Sequence, residues 1–203
     1  MRRTIGGPRT CDGLSDLGIV QAERLRDRLL DTKEISADVL FASGYPRAQE
    51  TAETIAPALG LTVTVDPAWG EHDPGPDSDG LTFDEFVARH GAPDWEADID
   101  AALFPSGETV RQFHQRIDRV LQRALADHDG GTIVVVCHGG VVDAVMRTAL
   151  HSPQRGAFDL YTKNTSLTEF LVVRPDRWRL ERYNDAAHLA GLPVETPRVS
   201  ASA

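Results

Sequence analysis

Cysteine is scarce. Cys11 and Cys137 are the only two in 203 residues, too few for a disulfide framework, and a reducing compartment is the simpler reading. No apolar run approaches the roughly 20 residues that a membrane helix needs. The opening stretch MRRTIGGPRTCDG is charged but lacks the apolar core of a signal peptide. The sequence therefore reads as a soluble cytoplasmic protein with no membrane partner. Positive charge is also in deficit: 21 Lys and Arg face 31 Asp and Glu, for a net charge of −10. Nucleic-acid binders present a basic field, so nucleic acid is not the expected partner. A small anion held by a few local Arg residues remains compatible with that balance. There is no internal repeat or low-complexity tract.

What is present is ordinary for a globular chain: 41% hydrophobic and 26% charged residues. The length suits one α/β domain over residues 1–191, with 192–203 a tail of small polar residues and two prolines. Residues 1–14 are rich in glycine and without periodicity, hence loop. A helix is predicted from Ser15 to about Leu30, with Ile19, Ala22, Leu25 and Leu29 on one face. Val39–Ala42 reads as a short strand. Pro46 opens a helix whose stripe is Ala48, Thr51, Ala52, Ile55 and Leu59, and Gly60 stops it. Residues 61–65 read as a strand and 66–80 as loop. Thr82 and Glu85 have capping-box spacing. A long helix covers about 107–126. The run TIVVVC, residues 132–137, is continuous enough for a strand buried on both faces of a parallel sheet. A helix follows from about Val141 to Leu150, and Leu167–Val173 with Trp178–Tyr183 form a hairpin around Pro175-Asp176. Strands alternating with helices predict a three-layer α/β/α sandwich with a mostly parallel sheet.

The segment VVVCHGGVV carries the strongest chemical signal. A strand ends at His138, and a helix starts two glycines later. Amides at a helix start favour anions, glycine permits close approach to the backbone, and open α/β sheets place ligands at the carboxyl ends of their strands. The plain alternative is a histidine that only caps the turn. In SGYPRAQETA, another strand ends at Ser43, and Arg47 falls in the first turn of the next helix, where a guanidinium can grip phosphate in bidentate fashion. In WGEHDPG, Glu71 lies in a loop and is a candidate general acid. His72 reads as an ordinary loop histidine, and no ligand spacing supports a metal. Cys137 reads as a small core residue rather than a reactive thiol.

These segments, in this order, resemble the histidine phosphatase superfamily, the phosphoglycerate-mutase-like proteins. DGLSDLGIVQAERLRDRL is similar to the family's L-[ST]-x-x-G-x-x-Q-A helix, FASGYPRAQETAETIAPAL to its S-x-x-x-R-A-x-x-T-A segment, PSGETVRQFHQRI to its G-G-E-S helix, VVVCHGG to its second histidine motif, and RWRLERYNDAAHL to its N-x-x-x-H-L ending. The resemblance implies that Arg47 and His138 hold a phosphoryl group, with Gly139 and Gly7 supplying phosphate-binding backbone. It implies that Glu71 protonates the leaving oxygen, that no cofactor or metal is needed, and that the substrate is a small phosphomonoester hydrolysed through a phosphohistidine. Oligomeric state is left open, a homodimer included.

One departure matters. The family opens on a strand ending in Arg-His-Gly, whose His is the nucleophile and whose Arg is a second phosphate clamp. Here the first histidine is His72. The resemblance places such a strand beside the one ending at His138, so its absence leaves a sheet edge unpaired. Three readings compete: a start assigned too late, a phosphate-binding module without turnover, and rescue by His72. The first is preferred because the downstream residues read as a complete set, and a phosphoglycerate-mutase-type transferase is the further alternative.

Overall fold

A computed structural model describes residues 4–95, 97–156 and 158–193 of the chain. Helix α1 (Asp16–Thr32) starts where Ser15 caps it, the serine oxygen accepting from the Gly18 amide. Strand β1 (Val39–Ala42) leads into α2 (Pro46–Leu59), which ends on the left-handed Gly60. Strand β2 (Val63–Val65) and a 3-10 turn (Pro67–Trp69) follow. Helices α3 (Phe83–His90) and α4 (Val110–Asp127) both begin with a complete capping box, Thr82 with Glu85 and Thr109 with Gln112. Strand β3 (Ile133–Val136) feeds α5 (Gly139–Leu150). Strands β4 (Leu167–Arg174) and β5 (Arg177–Asp185) close the order as an antiparallel hairpin with irregular register.

The parallel sheet runs β2-β1-β3. Side chains alternate along it, so successive residues feed opposite layers. On one face Leu40 joins Leu25, Leu29 and Ile55 of α1 and α2, with Val134 and Val136 against them. On the other, Phe41, Ile133 and Val135 pack against Phe113, Ile117 and Leu121 of α4 and Val141 and Ala144 of α5. This is the expected three-layer α/β arrangement. The hairpin is a separate sheet, yet Leu167 reaches the first cluster and Trp178 the second.

Two expectations need correction. All four residues of β3 are half-buried rather than buried. Both of its faces are packed, but among the described residues β3 pairs with β1 alone, and its edge position accounts for the remaining exposure. In α1, Ile19 is exposed while Gln21 is buried. Both lie on the flanks of the Ala22–Leu25–Leu29 stripe, and packing rather than hydropathy chose between them. Of the expected tail, residues 194–203 lie outside the described residues. The Leu192 amide still bonds the Leu189 carbonyl.

A charge network ties α1 to the hairpin. Arg28 donates to Glu34 and to Asp185, each at 2.6 Å, and Arg182 bridges Glu34 and Glu169. The Arg28 guanidinium, followed by burial acting the other way and by Arg182, holds Glu34 down at about 2 against its usual 4.5. Arg28 likewise leads in holding Asp185 at about 2 against 3.8. Both folded values lie below the unfolded ones, so the network stabilises fully above the ordinary carboxyl range and fades as pH falls towards 2. Arg28→Met is expected to cost about 1–2 kcal/mol at neutral pH, limited by solvent screening. It should also flatten the acid limb of stability, as checked by urea unfolding at pH 7 and pH 3.

Candidate functional site

The site begins with strand register. Ala42 and Val136 are Cα partners on the parallel pair β1–β3, so both chains leave the sheet level with each other. The Ser43 amide donates to the Val136 carbonyl at 3.0 Å, extending the ladder by one step. From there one chain turns into α2 through Ser43, Gly44 and Tyr45, and the other into α5 through Cys137 and His138. Pro46 sits in the first turn of α2, where its missing N–H costs nothing. His138 stands at the N-cap of α5 but makes no side-chain capping bond, which removes the plain reading of it as a cap.

The imidazole is gripped from two sides. Ser43 Oγ is 2.7 Å from Nε2, and Arg47 Nη2 is 3.3 Å from Nδ1. Arg47 is always a donor, so Nδ1 accepts and the ring proton sits on Nε2, pointing at Ser43 Oγ. The Ser43 hydroxyl also accepts from the Tyr45 amide at 3.3 Å. Burial first, then the charges of Arg47 and Arg116, pushes His138 down to about 3. Sequence reasoning brought Arg47 and His138 to one edge, and the structure puts them in contact. Burial also pushes the Cys137 thiol up to about 12, leaving it protonated and inert.

Glu71 arrives on the loop after the Pro67–Trp69 turn. One carboxylate oxygen accepts from the Gly140 amide at 3.0 Å and the other from the His72 amide at 2.9 Å. A carboxylate is thus seated on the N-terminus of α5, where negative charge is favoured. A Cβ on Gly140 would come within 2.2 Å of Glu71 Oε1, so glycine is what allows that approach. The loop is held by Arg116 of α4, which donates to the carbonyls of Ala68, Gly70 and Glu71 and forms a forked pair with Glu108.

Gly139 opens α5 beside this cluster. Gly7 is elsewhere occupied: its amide donates to Asp79 at 2.8 Å, and a Cβ would lie 2.5 Å from that carboxylate. Asp79 also takes the Arg9 amide and the Thr10 hydroxyl, while Arg9 pairs with Asp73. The N-terminal loop is thereby stapled to the loop that follows Glu71. The His72 ring packs 5.7 Å from Phe113 and 6.3 Å from Phe104, and burial lowers its pKa. No group of three or more His, Cys, Asp or Glu that could hold a metal converges among the described residues.

Sequence reasoning gave no role to Ser43, Tyr45, Glu108 or Arg116. Ser43 ends a strand and Glu108 is the acidic residue of the segment similar to G-G-E-S, which are the signals that could have found them. Arg116 is one of several arginines on α4, and nothing in its spacing separates it from the solvated ones.

Fold and site together define an α/β protein with an imidazole, a guanidinium and a carboxylate gathered at the carboxyl edge of a parallel sheet. Comparison with known proteins names the family. The model of the histidine phosphatase superfamily (branch 1) matches residues 2–186, and the chain belongs to that superfamily. Phosphoglycerate mutase-like protein 4 of Arabidopsis thaliana is 32% identical over 182 residues, 87% of this chain and 76% of that protein. A mycobacterial glucosyl-3-phosphoglycerate phosphatase superposes with a TM-score of 0.72 at 26% identity, covering 91% of this chain and 95% of that one. The α-ribazole phosphatase of Shigella flexneri shares the fold, with a TM-score of 0.76 at 23% identity over 91% and 89% of the two chains. No helix among the described residues is long and apolar enough to cross a membrane.

Three outcomes test this geometry. His138 is expected to stay neutral from pH 8 to pH 5, with its proton on Nε2, as read from imidazole 15N shifts. Arg47→Gln, which removes a repelling cation, should raise its titration towards the ordinary 6.5. Because the folded value lies below the unfolded one, neutral His138 favours folding above pH 6.5 and this contribution declines as pH falls below it. Arg116→Met, which strands Glu108 and releases the carbonyls of the Glu71 loop, should cost about 3 kcal/mol in urea unfolding.

Proposed function

We propose that this site holds the phosphoryl group of a small phosphomonoester and is the binding and acid half of a phosphatase centre. The observation that carries the reading is the Arg47–His138 contact at the ends of β1 and β3. A guanidinium fork takes two phosphoryl oxygens. When Arg47 turns from Nδ1 onto a dianion, the cation that repelled imidazole protonation is neutralised and an anion replaces it. His138 then gains a proton and donates through Nδ1 to the phosphoryl group while Nε2 stays on Ser43. Glu71 leaves the Gly140 amide, takes up a proton from solvent and hands it to the departing oxygen, and the freed Gly140 amide, with that of Gly139, faces the anion at the start of α5. The work asked of the protein is positioning and charge stabilisation, which is most of what phosphoryl transfer needs.

The covalent step requires a nucleophile. In this reading the nucleophilic His of the superfamily's Arg-His-Gly strand is absent from the chain, and His72, wedged between two phenylalanines, does not replace it. In-line attack tolerates little misplacement. The alternative is a phosphate-binding module without turnover. Hydrolysis is preferred to a mutase activity because the stretch between Arg47 and His138 is compact, and it agrees with the phosphatases among the structural relatives.

Titration with inorganic phosphate is expected to show saturable binding with proton uptake by His138, weakened roughly tenfold or more in Arg47→Gln. This chain should hydrolyse 4-nitrophenyl phosphate only at background. The same chain extended upstream by a strand ending in Arg-His-Gly should turn it over in a manner lost in His138→Ala. Equal phosphate affinity in wild type and Arg47→Gln would refute the site. A silent extended chain would favour the binding module.

A further inference from the structure

Tyr45 is only 3% exposed, and its hydroxyl is buried without a hydrogen-bond partner among the described residues. An unpartnered hydroxyl in the interior opposes folding, and phenylalanine would fill the same space without that cost. The ring itself has work to do. Arg47 Cζ lies over its face, 4.5 Å from the centroid, and the His138 ring meets it nearly edge-on at 4.6 Å. Neither contact needs the oxygen.

The surroundings say what the oxygen is for. Burial drives its pKa well above the usual phenol range, and Arg47, Glu71, Asp73 and Asp79 are the charges it feels. The group is therefore a protonated donor with no acceptor among the described residues, on a ring that touches both Arg47 and His138. A phosphoryl dianion has three non-bridging oxygens, and the guanidinium fork occupies two. We propose that the Tyr45 hydroxyl is a ligand-binding donor, giving its hydrogen bond to an oxygen of the phosphoryl group held by Arg47 and His138. Arg47 covers the ring now; its turn onto the anion uncovers the phenol. The inference rests on the phosphoryl-binding reading above and deepens it by one residue, at a position that the S-x-x-x-R-A pattern leaves unspecified.

The test is a pair of measurements on Tyr45→Phe, which keeps the ring and removes only the oxygen. Without ligand, the melting temperature should hold or rise by about 2–5 °C. Inorganic phosphate should bind roughly tenfold or more weakly by calorimetric titration. A structural tyrosine would behave in the opposite way, with a lower melting temperature and unchanged affinity, and that result overturns the inference. So does a loss of affinity that merely accompanies a loss of stability. If Tyr45→Phe binds like wild type while Arg47→Gln does not bind, the hydroxyl has no ligand role and the site reading survives. If wild type binds no phosphate, both fall.

Discussion

Everything at the site depends on two parallel strands ending level. The Ala42–Val136 register, carried one step further by the Ser43 amide, decides that Ser43, Tyr45 and Arg47 meet His138. A slip of one residue would move every alternating side chain to the other layer and part the guanidinium from the imidazole. The meeting has a chemical consequence. Burial first, and then a permanent cation at Nδ1, keeps the imidazole neutral, and that same cation leaves the ring proton on Nε2, facing Ser43. The resting state is thus poised against protonation, and in the proposed function an anion between the two groups reverses that balance.

The carboxylate is governed by a second and separate device. Glu71 rides on a loop whose carbonyls are gathered by one guanidinium, Arg116, itself paired with Glu108. The loop delivers the carboxylate to the Gly140 amide, a place equally suited to a phosphoryl oxygen. In the proposed function, one anionic position is therefore contested between an internal group and an incoming one. Glycine at 140 makes the contest possible by leaving no Cβ in the way.

Much of this was legible in the amino-acid order. Periodicity found the helices to within a few residues, because each buries a stripe against the sheet, and the Thr82–Glu85 capping box stands at a helix start for a purely local reason: side-chain oxygens answer free amides within three residues. Glu71, Arg47 and His138 were visible because each sits at a break between element types, where chemistry is displayed. Tyr45 and Arg116 were not. An aromatic before a helix and an arginine within one look alike whether they face solvent or a site. Gly7 shows the converse, a glycine next to an expected phosphate loop whose amide is spent on Asp79, 72 residues away.

Local chemistry in the chain decided what each segment is, since hydrogen bonds three or four residues apart and a hydropathy period of known length need no distant partner. It also determined which residue types stand at the two strand ends. Tertiary structure alone decided that those ends are neighbours, that β3 pairs with β1 alone among the described residues, that Ile19 faces water while Gln21 does not, and that a neutral imidazole, a phenol ring and a guanidinium touch one another. Contacts across 90 residues of chain depend on how layers pack in three dimensions, and no local periodicity encodes that.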